Sequence, residues 1–118
     1  MSENNFHKEL HNLIDDYVHK VYDATHNFPR DEQFGVTSQL RRATLSVMLN
    51  YVEGFARQRN AVLRNFLEIS YGSLKESKYL IEFSYKRKFI DQNLQKDLDN
   101  MNNRIGAMLW GTLKNLKS

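Results

Sequence analysis

Apolar positions recur at helical spacing along nearly the whole chain. Phe6, Leu10, Leu13, Ile14, Tyr17, Val21 and Ala24 share one face and predict a first helix over residues 5–26. Pro29 sets its far limit, because the residue before a proline is pushed out of helical geometry. PRDEQFG then reads as a turn with a short helical piece. Asn60 is placed to cap a helix over residues 61–87, whose seam is Leu63, Leu67, Ser70, Leu74, Ser77, Ile81 and Tyr85. Phe66, Ile69, Leu80 and Phe83 widen its apolar arc, and Gly72 in its middle calls for a close helix approach. Asp91 caps a last helix over residues 91–116, with Leu94, Leu98, Met101, Ile105, Met108, Leu109 and Leu116 on its inner face. Trp110 points away from that face, between the small residues Gly106, Ala107 and Gly111.

The second helix, expected over residues 37–58 with Thr37 or Ser38 as its N-cap, departs from this pattern. It is apolar almost all the way round. Leu40, Ala43, Val47, Met48, Leu49, Tyr51, Val52, Phe55 and Ala56 occupy most of its circumference. Arg42, Ser46, Asn50, Glu53 and Arg57 fall in one polar arc roughly 80° wide. A helix with so little polar surface buries one side in its own fold and offers another to a partner. Four such helices with short connections predict an all-α, antiparallel up-down-up-down bundle in one domain, residues 1–118.

Composition narrows the function classes. The 118 residues include no Cys, which removes disulfides and thiol chemistry and fits a reducing, cytoplasmic setting. The polar start MSENNFHKELHNL does not read as a signal peptide, and no apolar run reaches the roughly 20 residues of a membrane span. A net charge of +3, from 17 basic and 14 acidic residues, permits an anionic partner without requiring one.

The segment FPRDEQFGVTSQLRRATLSVMLNYVEGFAR, followed by FLEISYGSLKES, resembles the small "four-helix bundle protein" family. Its members include proteins encoded in intervening sequences of bacterial 23S ribosomal RNA genes. The resemblance is carried by Phe28-Pro29, Phe34-Gly35, Thr37 through Ala43, Ser46, Asn50, Glu53-Gly54, Arg57, Gly72-Ser73-Leu74 and Glu76. It covers about half the chain in order and spacing, and the first and last helices match in type only. It implies a bundle that assembles as a ring-like homopentamer, with a non-enzymatic role in nucleic-acid binding. A related branch comprises accessory proteins of diversity-generating retroelements, which bind a reverse transcriptase and structured RNA. The resemblance thus names RNA and a reverse transcriptase as candidate partners.

The candidate chemistry can be weighed residue by residue. The arc of Arg42, Ser46, Asn50, Glu53 and Arg57 is either a polar seam between subunits or a phosphate-contact surface. Glu53, lying between the two arginines, favours the seam, with Glu53–Arg57 and Asn50–Glu53 pairs at i,i+4 and i,i+3. Arg41, Arg42, Arg57, Arg59 and Arg64 are the best nucleic-acid contacts; repeated around a ring, Arg57, Arg59 and Arg64 would make a positive belt. The competing reading is a solvated helix end answering the macrodipole, and the same holds for Lys86-Arg87-Lys88. Trp110 serves a subunit contact before base stacking. Glu76 is expected to be buried near Gly72 and Ile69, held by an internal hydrogen bond.

Catalytic constellations do not assemble in the sequence. His7, His11 and His19 share a wet face with Asp15, where pairing of Asp15 with a histidine is expected and an HExxH zinc pattern is absent. There is no Glu-x-x-His for a di-iron site, no ExxE or ExxD pair for magnesium, and no Gly-rich phosphate loop. No His follows His26, so an Arg-x4–6-His ribonuclease motif is missing, and Ser46 has no base beside it. The expectation is a non-enzymatic, self-associating protein with no cofactor and no metal, acting on RNA or as a scaffold; a protein-docking module is the first alternative and a small nuclease or hydrolase the second.

Overall fold

The computed structural model describes residues 3–116. Four helices follow one another: α1 Glu3–Thr25, α2 Val36–Phe55, α3 Asn60–Lys86 and α4 Gln92–Asn115, with a 3-10 turn at Arg30–Glu32 between the first two. No strand occurs among the described residues. Helix boundaries fall within a few residues of expectation, but two caps do not. α2 starts one residue before Thr37, behind Gly35. The Glu32 carboxylate takes the Val36 backbone N–H at 3.3 Å, and Thr37 Oγ1 is buried without a hydrogen-bond partner. Asn60 is the first residue of α3 rather than its cap, which is Arg59 in extended geometry. Asp91 does cap α4, accepting from the Leu94 N–H at 2.8 Å.

Cross-helix contacts fix the topology. Arg41 on α2 reaches Thr25 near the end of α1, while Tyr51 Oη donates to the His7 carbonyl near its start. Ser46 meets Ser73, and Gly54 faces Leu63 and Phe66, so α3 runs back along α2. Arg64 bonds the Leu113 carbonyl and Gly106 faces Leu74, which reverses α4 against α3. Glu9 pairs with Arg104 and Lys20 with Asp97, closing α4 onto α1. Each helix therefore packs antiparallel on its sequence neighbours, with α4 also against α1, in an up-down-up-down bundle 44 × 28 × 18 Å across.

The core follows the periodicity. Leu10, Ile14, Tyr17 and Val21 from α1 meet Leu40 and Val47 from α2, Leu67, Leu74 and Ile81 from α3, and Leu98, Ile105 and Leu109 from α4. Each fully buried aliphatic side chain among them contributes about 1.5–3 kcal/mol of transfer free energy. A polar layer crosses this core. Tyr17 Oη lies 2.7 Å from Ser77 Oγ, and Asn102 Nδ2 donates to Tyr17 Oη at 2.9 Å and to the Leu74 carbonyl at 3.0 Å. Burial pushes the Tyr17 phenol up to about 12, because the anion would lose its hydration.

Small residues bring α2 and α3 together: Ala43 and Gly54 from one, Ser70 and Ser73 from the other. Ser70 Oγ donates across to the Val47 carbonyl at 2.7 Å. The close-approach glycines are Gly54 and Gly106. Gly72 faces open space, with nothing within 4 Å of where a Cβ would stand. Glu76, expected in the interior, is exposed, because Leu74 and Ser77 on either side of it take the inward positions of that turn.

Candidate interaction face and arginine positions

The excess apolar surface of α2 points outward. Leu45, Leu49 and Val52 follow one another at spacings of four and three and are 37%, 62% and 48% exposed. Phe34, in the turn before α2, is 90% exposed. A shallow groove of about 590 Å³ runs along this region, lined among others by Tyr22, Phe34, Arg42, Leu45 and Leu49. Large apolar side chains placed contiguously on one helix face mark a surface suited to a partner.

The five-residue arc runs beside this stripe, on the side facing α3. Four of its five members form two clusters, and Arg42 stands apart from both. Asn50 Nδ2 turns back to the Ser46 carbonyl at 2.9 Å and to Ser46 Oγ at 3.0 Å, and Ser46 Oγ meets Ser73 Oγ at 2.7 Å. Asn50 thus bonds Ser46, one turn back, instead of Glu53. Glu53 does pair with Arg57, whose guanidinium also lies over the Phe66 ring, 5.4 Å from its centroid. Four of the five arc residues are therefore bonded within the protomer, and Arg42 is left exposed.

The five candidate arginines divide. Arg41 is half-buried: its Nε donates to Thr25 Oγ1 at 2.7 Å and its guanidinium lies 4.8 Å from the Tyr22 ring centroid. Arg64 donates to the Leu113 carbonyl at 3.0 Å and pairs with Glu68 at 3.2 Å, closing the last turn of α4. Arg42 and Arg59 are exposed and make no ion pair among the described residues. Fifteen residues separate Arg42 from Arg57, about 22 Å at helical rise, so Arg41 and Arg42 lie far from Arg57, Arg59 and Arg64.

Trp110 is 57% exposed, as its position opposite the α4 inner face predicts, and its ring sits 5.8 Å from that of Tyr71. Gly106 instead turns inward, where a Cβ would stand 3.4 Å from Leu74 Cδ2. The histidine stripe is not uniformly wet: His7 is half-buried, its ring 4.6 Å from that of Phe55, whereas His19 pairs with Asp15 at 3.5 Å in solvent. No group of three or more metal-ligating side chains occurs among the described residues. None of the described helices is long and apolar enough to cross a membrane.

Sequence reasoning missed several positions. Asn102 is polar and sits at a core position of α4, one residue past Met101. Asp99, one turn before it, has a buried Oδ1, and burial raises its carboxyl above the usual range, with Lys78 opposing. The exposed Phe34 and Tyr79 (62%) carry no periodicity signal of their own.

Fold and surface together define a small all-α bundle that presents an apolar helix face beside a polar seam. The sequence profile of the 23S rRNA-intervening sequence protein family matches residues 9–111, and the chain belongs to that family. The fold is shared with a crystal structure of a protein of unknown function from the S23 ribosomal protein family of Bacteroides thetaiotaomicron VPI-5482. That protein is 17% identical, with a TM-score of 0.86 over 93% of this chain and 99% of its own. No curated protein matches the chain.

Proposed function

We propose that this protein is a non-enzymatic assembly module: it forms a homo-oligomeric ring through the outward face of α2, and the ring contacts nucleic acid through arginine–phosphate interactions. The observation that carries the assembly is the run of Leu45, Leu49 and Val52 with Phe34 beside it, large apolar side chains that the bundle itself leaves in solvent. Trp110 and Tyr71 form a second aromatic patch on another side of the molecule, where α3 meets α4. Two unlike patches suit the head-to-tail contacts of a closed ring better than a two-fold dimer, which buries one patch against itself.

The nucleic-acid part of the reading rests on membership of the 23S rRNA-intervening sequence protein family and on cations left without acid partners, Arg42 and Arg59 among them. Such contacts supply salt-sensitive affinity without base specificity. A reading as a docking surface for another protein, such as a reverse transcriptase, uses the same α2 face.

Leu49→Glu tests the assembly, because it places a charge on the most exposed aliphatic of the stripe without touching the core. Gel filtration of the variant should show the protomer where the wild type elutes as an assembly. Unchanged elution of an assembled variant would remove α2 from the interface. The nucleic-acid reading fails if an oligoribonucleotide is not shifted by the wild type at low salt.

A further inference from the structure

The two ends of the bundle differ in how many of their arginines and lysines are paired. At the end where α2 passes into α3, Arg57 is paired with Glu53, and Arg64 with Glu68 and the Leu113 carbonyl, which leaves Arg59 as the unpaired arginine there. At the other end, two carboxylates are engaged by backbone N–H groups, Asp31 is exposed beside Arg30, and three of the four cations make no ion pair among the described residues. Glu32 accepts the Val36 N–H and Asp91 accepts the Leu94 N–H, so both carboxylates serve helix N-termini. Lys86 is paired with Glu82 at 3.1 Å. Arg30, Arg87 and Lys88 are exposed and make no ion pair among the described residues.

The two loops that carry these three cations are adjacent in the fold. The ring of Phe28, two residues before Arg30, lies 5.4 Å from the ring of Phe89, the residue after Lys88. Phe28 and Ile90 are buried, so the two loops that carry the cations are anchored to the core. Lys88 also has φ 66°, the left-handed geometry that ends α3, with the Phe89 N–H returning to the Ser84 carbonyl at 2.8 Å. Glycine is the residue that adopts this geometry without cost. A lysine held there, next to Arg87, keeps a cation on an anchored loop at the expense of local backbone strain.

We propose that the phosphodiester backbone of RNA is contacted at this end, by Arg30, Arg87 and Lys88, and not at the Arg57–Arg64 end. The inference rests on the nucleic-acid reading above and relocates its site. The contact is electrostatic and independent of sequence, since three cations on exposed loops neutralise phosphates without reading bases.

The test is fluorescence anisotropy of a labelled single-stranded oligoribonucleotide, titrated with the full chain at several salt concentrations. Arg30→Ala, Arg87→Ala and Lys88→Gly are combined in one variant, and Arg57→Ala with Arg59→Ala in another. Circular dichroism checks that both remain folded; Lys88→Gly relieves the left-handed residue, and all three substituted residues are exposed. The first variant should lower the slope of log K against log salt by roughly 2 for each subunit engaged, from three lost contacts on single-stranded RNA. The second should bind much as the wild type does. An unchanged slope in the first variant with lost binding in the second overturns the relocation and leaves the nucleic-acid reading standing. No binding by the wild type at low salt overturns both.

Discussion

Gly54 gives the sharpest stability test of the α2–α3 packing. A Cβ built on it would stand 3.0 Å from Phe66 Cβ and 3.1 Å from Leu63 Cδ1. Phe66 Cβ is fixed directly to the α3 backbone, so it cannot swing away; α3 itself must shift. Leu63 is buried and has little room to yield. Replacing glycine by alanine inside a helix gains up to about 1 kcal/mol in propensity. Overpacking a close helix contact typically costs 1–3 kcal/mol. With a backbone-fixed atom in the way, the overpacking term wins, and Gly54→Ala should destabilise by about 1 kcal/mol net. Gly72→Ala is the matched control: nothing lies within 4 Å of its Cβ position, so the propensity gain stands alone. Urea unfolding followed by circular dichroism, at one fixed protomer concentration, should move the midpoint down for Gly54→Ala and up for Gly72→Ala. A Gly54→Ala midpoint at or above the wild-type value would refute the close-packing argument.

Other consequences are open to measurement. The Tyr17 phenol, held near 12 by burial against 10.0 when free, is neutral in the fold where the unfolded chain would ionise it. Its contribution is complete below pH 10 and is lost between pH 10 and 12, a loss on the order of 2–3 kcal/mol. Tyr51 shifts the same way. The urea midpoint should therefore fall steeply above pH 10, less so in Tyr17→Phe; a flat profile to pH 11.5 would contradict this. Asp99, raised by burial, is destabilising when ionised, so its penalty grows as pH rises through its titration. Asp99→Asn should raise the urea midpoint at pH 7, and a lowered midpoint would show that its attraction to Lys78 outweighs burial. Trp110, the chain's one tryptophan, should emit at shorter wavelength in the assembly than in the Leu49→Glu protomer if its face is covered; identical spectra for an assembled wild type and a monomeric variant would leave it outside the interface.

Much of the fold was legible because periodicity reports burial directly. The α3 seam from Leu63 to Ile81 is buried throughout, as spacing alone predicted. The failures were local. Thr37 looked like a cap because its side chain suits one, but the Glu32 carboxylate, four residues before Val36, reached that N–H from the 3-10 turn. Glu76 and Gly72 were misplaced for one reason: a single helix shows which residues share a face, while the neighbours that cover that face come from the tertiary arrangement. Asn102 was invisible because a polar residue at a core position is recognised only by its partners, Tyr17, Ser77 and the Leu74 carbonyl, which come from two other helices. The outward stripe of α2 was legible as excess apolar surface. The Glu53–Arg57 pair was legible from its i,i+4 spacing, but the engagement of Arg41 and the Arg64–Leu113 bond were not, since Thr25, Leu113 and Tyr22 lie at least 16 residues away in sequence.

The central claim is that the outward face of α2 is covered by another copy of the chain. Light scattering of the wild type across a range of protein concentrations tests it most directly. A pentamer gives five times 14.0 kDa, about 70 kDa, with a mass that holds on dilution. A stable mass near 14.0 kDa at every concentration would contradict the account and leave Leu45, Leu49 and Val52 to a partner of another kind.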